Sequence, residues 1–317
     1  MGGTCHIRGM SWEFKSIAVV GSGAIGLYYG GRLAEAGGDV RFLVRSDYDE
    51  LSSNGLKVES VDGDFQLPDI KVYRKPEEIG PVDLVIVSWK ATANSQFKDV
   101  LPPLLHRNTQ VLTLQNGLGN CEAIAEITGA NRVLGGLCFV CINRLASGLV
   151  SHTSGGRVTI GEFDGNRDGR AEELSRRFKE AKIPATAVED LCKAQWEKLI
   201  WNIPFNGMAV SEGGVTTDVL LADPEIEVHL RKLMREVVDA AHAKGIPVDE
   251  SLIDWNIERT KPIGAYRPST MIDFVEGREL ELGPIWEEPL RQGKEAGAAM
   301  PAVEDLLARI LERVASR

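Results

Sequence analysis

The sequence predicts an α/β fold: an N-terminal Rossmann-like dinucleotide-binding domain followed by an all-helical C-terminal domain. Three observations carry this. A short β-branched apolar run, Lys15-Ser-Ile-Ala-Val-Val20, leads straight into Gly21-Ser22-Gly23-Ala24-Ile25-Gly26. Similar apolar runs, suited to strands buried on both faces, alternate with helical stretches as far as Val188. From Leu191 onward only helical patterning remains. A chain of 317 residues is also long enough for about two domains. The expected division is a disordered extension over 1–14, a Rossmann-like domain over 15–190 and a helical domain over 191–317.

After the first strand and its glycine turn, Leu27 to Ala36 reads as a helix closed by Gly37-Gly38, and Asp39 to Val44 as the second strand. In this strand–turn–helix–strand context Gly21 permits the tight turn and Gly23 lets a pyrophosphate approach the backbone. Gly26 allows close packing of helix on strand. The pyrophosphate would rest on the helix N-terminus, where free N–H groups and the helix dipole favour anions. The second strand ends in Val44-Arg45-Ser46, with no acid at its tip and Asp47 further on. Arg45 offers a planar donor fork for a 2′-phosphate, which favours NADPH over NADH; the other reading is a surface arginine.

Leu51 to Lys75 reads as short strands and turns forming an antiparallel excursion. Asp83 to Ser88 resumes the parallel pattern and ends in Trp89-Lys90, which places Lys90 where open α/β sheets bind ligands, although a solvent-facing lysine fits as well. Thr109 to Leu114 is a further strand, ending in Gln115-Asn116-Gly117-Leu118-Gly119. Asn116 thus falls where a nicotinamide amide or a substrate carbonyl would lie. Residues 132–162 read as strands with turns at Ser147-Gly148 and Ser154-Gly155-Gly156. Arg170 to Ala181 is an amphipathic helix and Pro184 to Val188 the last strand. Helices are expected at roughly 191–210, 223–244, 249–260, 268–280 and 284–315.

Composition narrows the function classes. A formal net charge of −10 argues against non-specific binding of nucleic acid or anionic membrane. No apolar run approaches the ~18 residues that cross a bilayer. Met1 to Phe14 lack a signal-peptide core, and His6 breaks the myristoylation pattern that Met1-Gly2 begins. Five scattered cysteines fit reduced thiols in a cytoplasmic protein. The lone Cys138-Phe-Val-Cys141 pair lacks a second pair or a nearby His, so no metal site is expected.

In the helical half, Lys198, Asn202 and Asn206 follow at i, i+4, i+8 within an otherwise apolar helix. One face therefore carries an ammonium and two amides, which must find partners or line a wet cavity. A buried network that only fixes helix packing and a catalytic site both fit. Pro204 removes one helical hydrogen bond and should bend the helix. A second polar cluster spans Arg267 to Glu281. Ser269 and Glu281 would lie about 18 Å apart on one straight helix, so a shared site requires a bend, with Gly277 the natural place. A capping Ser269 and a solvated Glu281 are the alternative. The apolar residues Leu220, Leu221, Ile226 and Leu230 could serve a homodimer or a core.

These residues resemble the ketopantoate reductase family, which uses NADPH to reduce 2-dehydropantoate to pantoate in pantothenate synthesis. The resemblance spans about residues 15 to 310. It rests on the glycine turn, Arg45, Lys90, Gln115-Asn116-Gly117, the Lys198–Asn202–Asn206 series, and Ser269 with Glu281. It implies a catalytic pair, Lys198 as general acid and Glu281 binding the substrate or tuning the lysine. It also implies that Asn116, Asn202, Asn206 and Ser269 bind a small 2-oxoacid, and that Gly21 to Gly26, Arg45, Lys90 and Asn116 bind the cofactor. The chain departs from the family at Thr270, at Leu280, and in Leu282-Gly283-Pro284-Ile285-Trp286 after Glu281, all on the expected substrate side. A reductase of another small 2-oxo or 3-oxo acid, or a non-catalytic NADPH-binding regulatory protein, are the competing readings.

Overall fold

The structure, a computed structural model, describes residues 14–317. Phe14, expected in the extension, packs half-buried against the core of the sheet half. The rest of that extension, including the myristoylation pattern, lies outside the described residues. Among the described residues one ten-stranded sheet forms. Its strands are β1 (Ser16–Val20), β2 (Asp39–Leu43), β3 (Leu56–Ser60), β4 (Phe65–Leu67), β5 (Lys71–Tyr73), β6 (Leu84–Val87), β7 (Gln110–Thr113), β8 (Val133–Ala146), β9 (Leu149–Glu162) and β10 (Ala185–Val188). The run β5-β2-β1-β6-β7-β8 is parallel throughout. That is the 3-2-1-4-5-6 order of the doubly wound dinucleotide fold. β6 and β7 are buried along their whole length, which is why β6 reads as an unbroken apolar run.

Beyond β8 the sheet turns antiparallel. β8 and β9 form a long hairpin whose turn falls at Ser147-Gly148, as expected. Ser154-Gly155-Gly156 is not a turn but a bulge inside β9. Phe139 faces Arg157 and Val140 faces Gly155, so Gly156 has no opposite residue. Gly155 and Gly156 have φ of 78° and 106°, which only glycine adopts without strain. A bulge bends its strand, and the bent β9 wraps the Ala24–Glu35 helix. There the Tyr29 hydroxyl donates to the Gly156 carbonyl at 3.2 Å, and Tyr28 packs on His152 with ring centroids 4.5 Å apart.

The expected antiparallel excursion over 51–75 is only partly present. β3 and β4 are antiparallel, but Tyr48–Asn54 is a helix and β5 returns to lie parallel to β2. Asp49 and Glu50 in the first turn suit a helix start; their charge was the overlooked signal.

Leu191–Ser211 is the central helix of the second half, its start capped by Asp190, whose carboxylate accepts from the Lys193 N–H at 2.8 Å. Leu199, Ile203 and Phe205 are buried with Leu233 and Val237 of the Pro224–Ala243 helix and Leu306 of the Pro301–Ala315 helix. Each such side chain contributes about 1.5–3 kcal/mol by burial. Pro204 lies inside the helix, which continues through it to Ser211. The helix expected over 268–280 stops at Val275, where Gly277 takes φ 69° and the Arg278 N–H turns back to the Asp273 carbonyl at 2.8 Å. The chain thus bends at the glycine expected to bend it. The long helix expected over 284–315 is divided: Glu288–Glu295 ends before Gly297, φ 86°, and a new helix begins at Pro301. A glycine stop and proline start account for the break. A short helix, Thr217–Ala222, was not expected.

Candidate active site

The glycine turn is built as its spacing requires. Gly21 has φ 107°, and a Cβ there would lie 2.4 Å from the Trp89 nitrogen. At Gly26 a Cβ would meet the Gly21 carbonyl oxygen at 2.0 Å, so this glycine lets the helix sit on the turn. Gly23 differs: a Cβ there would meet nothing within 4 Å. It caps the Ala24–Glu35 helix with extended backbone, and no acid occupies the first turn. The first helical N–H groups, at Ala24 and Ile25, have no acceptor within the helix, and the open space at Gly23 beside them and Ser22 is one that a pyrophosphate fits.

At the end of β2 the charges separate. Arg45 and Ser46 are exposed, and Arg45 donates to the Gln96 side-chain carbonyl. Asp47 is buried and turned away. It pairs with Arg144 at 2.5 Å and accepts from the Ser46 and Ser147 hydroxyls at 2.8 and 3.2 Å. The carboxylate that could grip a ribose is committed to the β8–β9 hairpin, which leaves a guanidinium at the strand tip.

The Lys198 ammonium reaches from the central helix to the sheet half. It donates to Asn116 Oδ1 at 2.8 Å and to the Cys138 carbonyl at 2.9 Å, and stands 5.3 Å from the centre of the Phe139 ring. Burial holds its pKa below the ordinary lysine range, against the charge of Glu281. The Cys138 thiol, pushed up to about 11 by burial, stays neutral at physiological pH. Lys198, Asn202, Gln115 and Asn120 line a cleft between the two halves. Asn202 is nearly buried, and its side-chain amide makes no hydrogen bond among the described residues.

Glu281 is half-buried, its Oε1 accepting the Ala91 N–H at 2.8 Å. Burial raises its pKa, with Asp273 adding to the rise, while the Ala91 N–H, Lys90 and Lys198 oppose it. Lys90 pairs with Asp273 at 2.7 Å and donates to the Glu279 carbonyl at 3.3 Å. It therefore bridges the halves in place of pointing freely at a cofactor. Asn206 is buried with both ends of its amide in use: it donates to the Asn202 carbonyl at 3.0 Å and accepts the Thr270 N–H at 3.1 Å. It pins the Ser269–Val275 helix to the central helix. Ser269 begins that helix exposed and makes no capping bond. Gln115, Asn94 and Asn120 form an amide network beneath Asn116, with Gln115 to Asn94 at 2.8 Å and Asn94 to Asn120 at 2.9 Å. Asn94 and Asn120 were not expected, because their pairing joins loops distant in sequence. The Cys138 carbonyl is a backbone acceptor, which no residue type announces.

An open glycine turn after β1 of a doubly wound sheet, and a lysine lining an interdomain cleft after β7, define a dinucleotide-dependent oxidoreductase. The chain belongs to the ketopantoate reductase family. The family model described as Ketopantoate reductase PanE/ApbA matches residues 17–165, and the one described as Ketopantoate reductase PanE/ApbA C terminal matches residues 190–313. A 2-dehydropantoate 2-reductase from Nostoc sp. is 38% identical over 92% of this chain and 93% of its own length. The crystal structure of a 2-dehydropantoate 2-reductase from Geobacter metallireducens is 45% identical, with a TM-score of 0.92 over 94% of this chain and 99% of that one. A D-mandelate dehydrogenase solved with NADH shares the fold at 20% identity, with a TM-score of 0.86 over 95% and 99% of the two chains. The chain is accordingly an oxidoreductase acting on CH–OH groups. No helix among the described residues is long and apolar enough to cross a membrane.

Proposed function

We propose that the protein reduces 2-dehydropantoate to pantoate with NADPH, in the synthesis of pantothenate. Residues 15–190 would hold the cofactor and residues 191–317 supply the catalytic wall, with assembly as a homodimer in the cytoplasm. The observation that carries the reading is Lys198: an ammonium from the helical half, hydrogen-bonded to Asn116 of the sheet half, in a cleft between the two. When bound, the nicotinamide supplies a hydride to the carbonyl carbon. Negative charge then develops on the carbonyl oxygen and needs a proton and a positive neighbour. Lys198 supplies both from Nζ, and its lowered pKa eases release of the proton. Asn116 orients the ammonium, and the free amide of Asn202 is available to the substrate oxygens. Glu281 holds the Ala91 backbone and keeps a negative charge near the lysine. Arg45, with Asp47 withdrawn, favours the 2′-phosphate of NADPH. Asn206 acts by pinning the Ser269–Val275 helix to the central helix, while Ser269, exposed at that helix's start, is left to the substrate.

A second reading, reduction of another small 2-oxo or 3-oxo acid, is favoured by Leu280 and Thr270, which are buried beside the site where the family carries other residues. A panel of 2-oxo and 3-oxo acids at saturating NADPH, with NADH in parallel, separates the two. Highest kcat/KM on 2-dehydropantoate with NADPH is expected. A better substrate in the panel selects the second reading, and tight NADPH binding without turnover on any acid leaves a cofactor-binding regulatory protein.

A further inference from the structure

Asn94 is the hub of the amide network beneath Asn116, and the bonds that radiate from it have a forced direction. It lies half-buried on the 3₁₀ turn Ala91–Gln96 that follows β6. Its Oδ1 accepts from the Trp89 indole at 3.3 Å and from Gln115 Nε2 at 2.8 Å, and its Nδ2 donates to Asn120 Oδ1 at 2.9 Å. Asn120 Nδ2 in turn donates to the Asn116 carbonyl at 2.9 Å. An indole N–H can only donate and a backbone carbonyl can only accept. Neither amide between them can turn over without setting donor against donor or acceptor against acceptor. At one end Trp89 is braced on the glycine turn: the neighbouring Ser88 hydroxyl donates to the Gly21 carbonyl at 2.7 Å, and a Cβ at Gly21 would lie 2.4 Å from the Trp89 nitrogen. At the other end is the loop that carries Asn116, where Gly117 and Gly119 take φ of 81° and 84°. Asn94 holds that loop on both sides of the Asn116 Cα, directly through Gln115 and, by way of Asn120, at the Asn116 carbonyl. Asn116 Oδ1 then accepts from the Lys198 ammonium at 2.8 Å.

We propose that Asn94 and Asn120 are positioning residues for the proton donor: a directional amide ladder that fixes Asn116, and through it the Lys198 ammonium, relative to the dinucleotide turn. Neither side chain bonds the lysine itself. Hydride transfer needs hydride donor, carbonyl and proton source in register, and a small misplacement costs rate steeply. The glycine turn and the lysine belong to different halves, and the ladder supplies the registration on the sheet side. It also bears on the lysine's proton affinity, because an acceptor such as Asn116 Oδ1 favours the charged form. The titratable groups that face Lys198 are the neutral Cys138 thiol on β8 and Glu281 on the segment bent at Gly277. Neither belongs to the ladder, so its loss leaves them in place. Loosening Asn116 should therefore lower the lysine's pKa further and bring the alkaline loss of activity to lower pH. This rests on the reductase reading above, which makes Lys198 the proton donor.

The test uses Asn94→Ala, Asn120→Ala and the milder Asn94→Ser, which keeps a polar group for Gln115 but falls short of Asn120. Each is made alone and in an Asn116→Ala background. Kinetics with 2-dehydropantoate, or with the best acid in the panel, are followed across pH, with NADPH affinity and melting temperature in parallel. The proton affinity of Lys198 is measured without turnover, by competitive labelling with acetic anhydride across pH in the presence of NADP, read by mass spectrometry. Each single variant should lower kcat by roughly ten- to hundredfold and move both the alkaline limb and the Lys198 labelling curve to lower pH. NADPH affinity and melting temperature should change little. In the Asn116→Ala background the same substitutions should add almost nothing, because the residue they act through is already gone. Losses that multiply fully in that background, or a fall in kcat that follows the melting temperature with the alkaline limb in place, would overturn the ladder and leave Asn94 a packing residue. Unchanged kcat and labelling in all three variants would overturn it as well. Absence of turnover in the wild type, with the labelling curve still displaced in the variants, would overturn the reductase reading and leave the ladder standing.

Discussion

At the scale of single residues the chemistry converges on Lys198. Its ammonium has two fixed acceptors, Asn116 Oδ1 and the Cys138 carbonyl, and burial lowers its pKa. As general acid it must be protonated, so turnover should be full below that lowered pKa and fall as pH rises through it. The alkaline limb of the kcat profile should therefore begin below the ordinary lysine range. Lys198→Ala should reduce kcat by about 10²–10⁴-fold, the usual contribution of a positioned acid, with NADPH affinity nearly intact. Lys198→Arg keeps the charge but scarcely releases a proton, so it should be almost as slow and lose the alkaline limb. Wild-type turnover in either variant, measured by steady-state NADPH oxidation across pH, would remove the lysine from the mechanism.

At the scale of elements the glycine turn separates fold from function. Gly26 and Gly23 belong to one motif, yet a Cβ at Gly26 would meet the Gly21 carbonyl at 2.0 Å while one at Gly23 would enter open space. Gly26→Ala should therefore destabilise the protein by roughly 1–3 kcal/mol, as overpacking does. Gly23→Ala should leave the melting temperature unchanged and weaken cofactor binding, because the new methyl occupies the place of the pyrophosphate. Thermal melts and NADPH titration of the two variants check this, and equal melting losses would mean that Gly23 is structural. The same contrast shows what could be read in advance. The β1 turn and the buried β6 were legible because local spacing and an apolar run dictate them. The split at Gly297 and Pro301 was written in the chain but masked by a continuous helical pattern. The bend in β9 was not legible, since Gly155-Gly156 suit a turn equally well and only pairing with Phe139 and Val140 makes them a bulge. Helical spacing put Lys198 and Asn202 on one face of the central helix, and both line the interdomain cleft. That spacing could not show that Asn206, on the same stripe, spends both ends of its amide on packing.

At the scale of the whole molecule, function depends on how the two halves are held together. Beside the Lys198 contacts, the Leu118 N–H donates to the Pro284 carbonyl at 2.9 Å, and a Cβ at Gly117 would lie 2.2 Å from the same oxygen. The Ala91 N–H meets Glu281, and Lys90 meets Asp273. Two of these links leave adjacent residues after β6 and land on the segment bent at Gly277. That segment is therefore registered against the cofactor side of the sheet by residues that need touch neither ligand. The Lys90–Asp273 pair is partly exposed, the lysine by 37%, so its contribution to stability should be at most about 1 kcal/mol. Its larger effect should be on catalysis, through the placement of Glu281 and the closing of the cleft. Lys90→Met and Asp273→Asn should each lower kcat/KM for the oxo acid by roughly tenfold, equivalent to about 1.4 kcal/mol in the transition state. Asp273→Asn should be the more severe, because Asp273 also holds Arg278 at 2.8 Å. The double variant should be no worse than Asp273→Asn alone, since the second change removes a partner already lost. A double-mutant cycle on kcat/KM, with melting temperatures in parallel, decides it: losses that add fully would show Lys90 acting on the cofactor independently of Asp273.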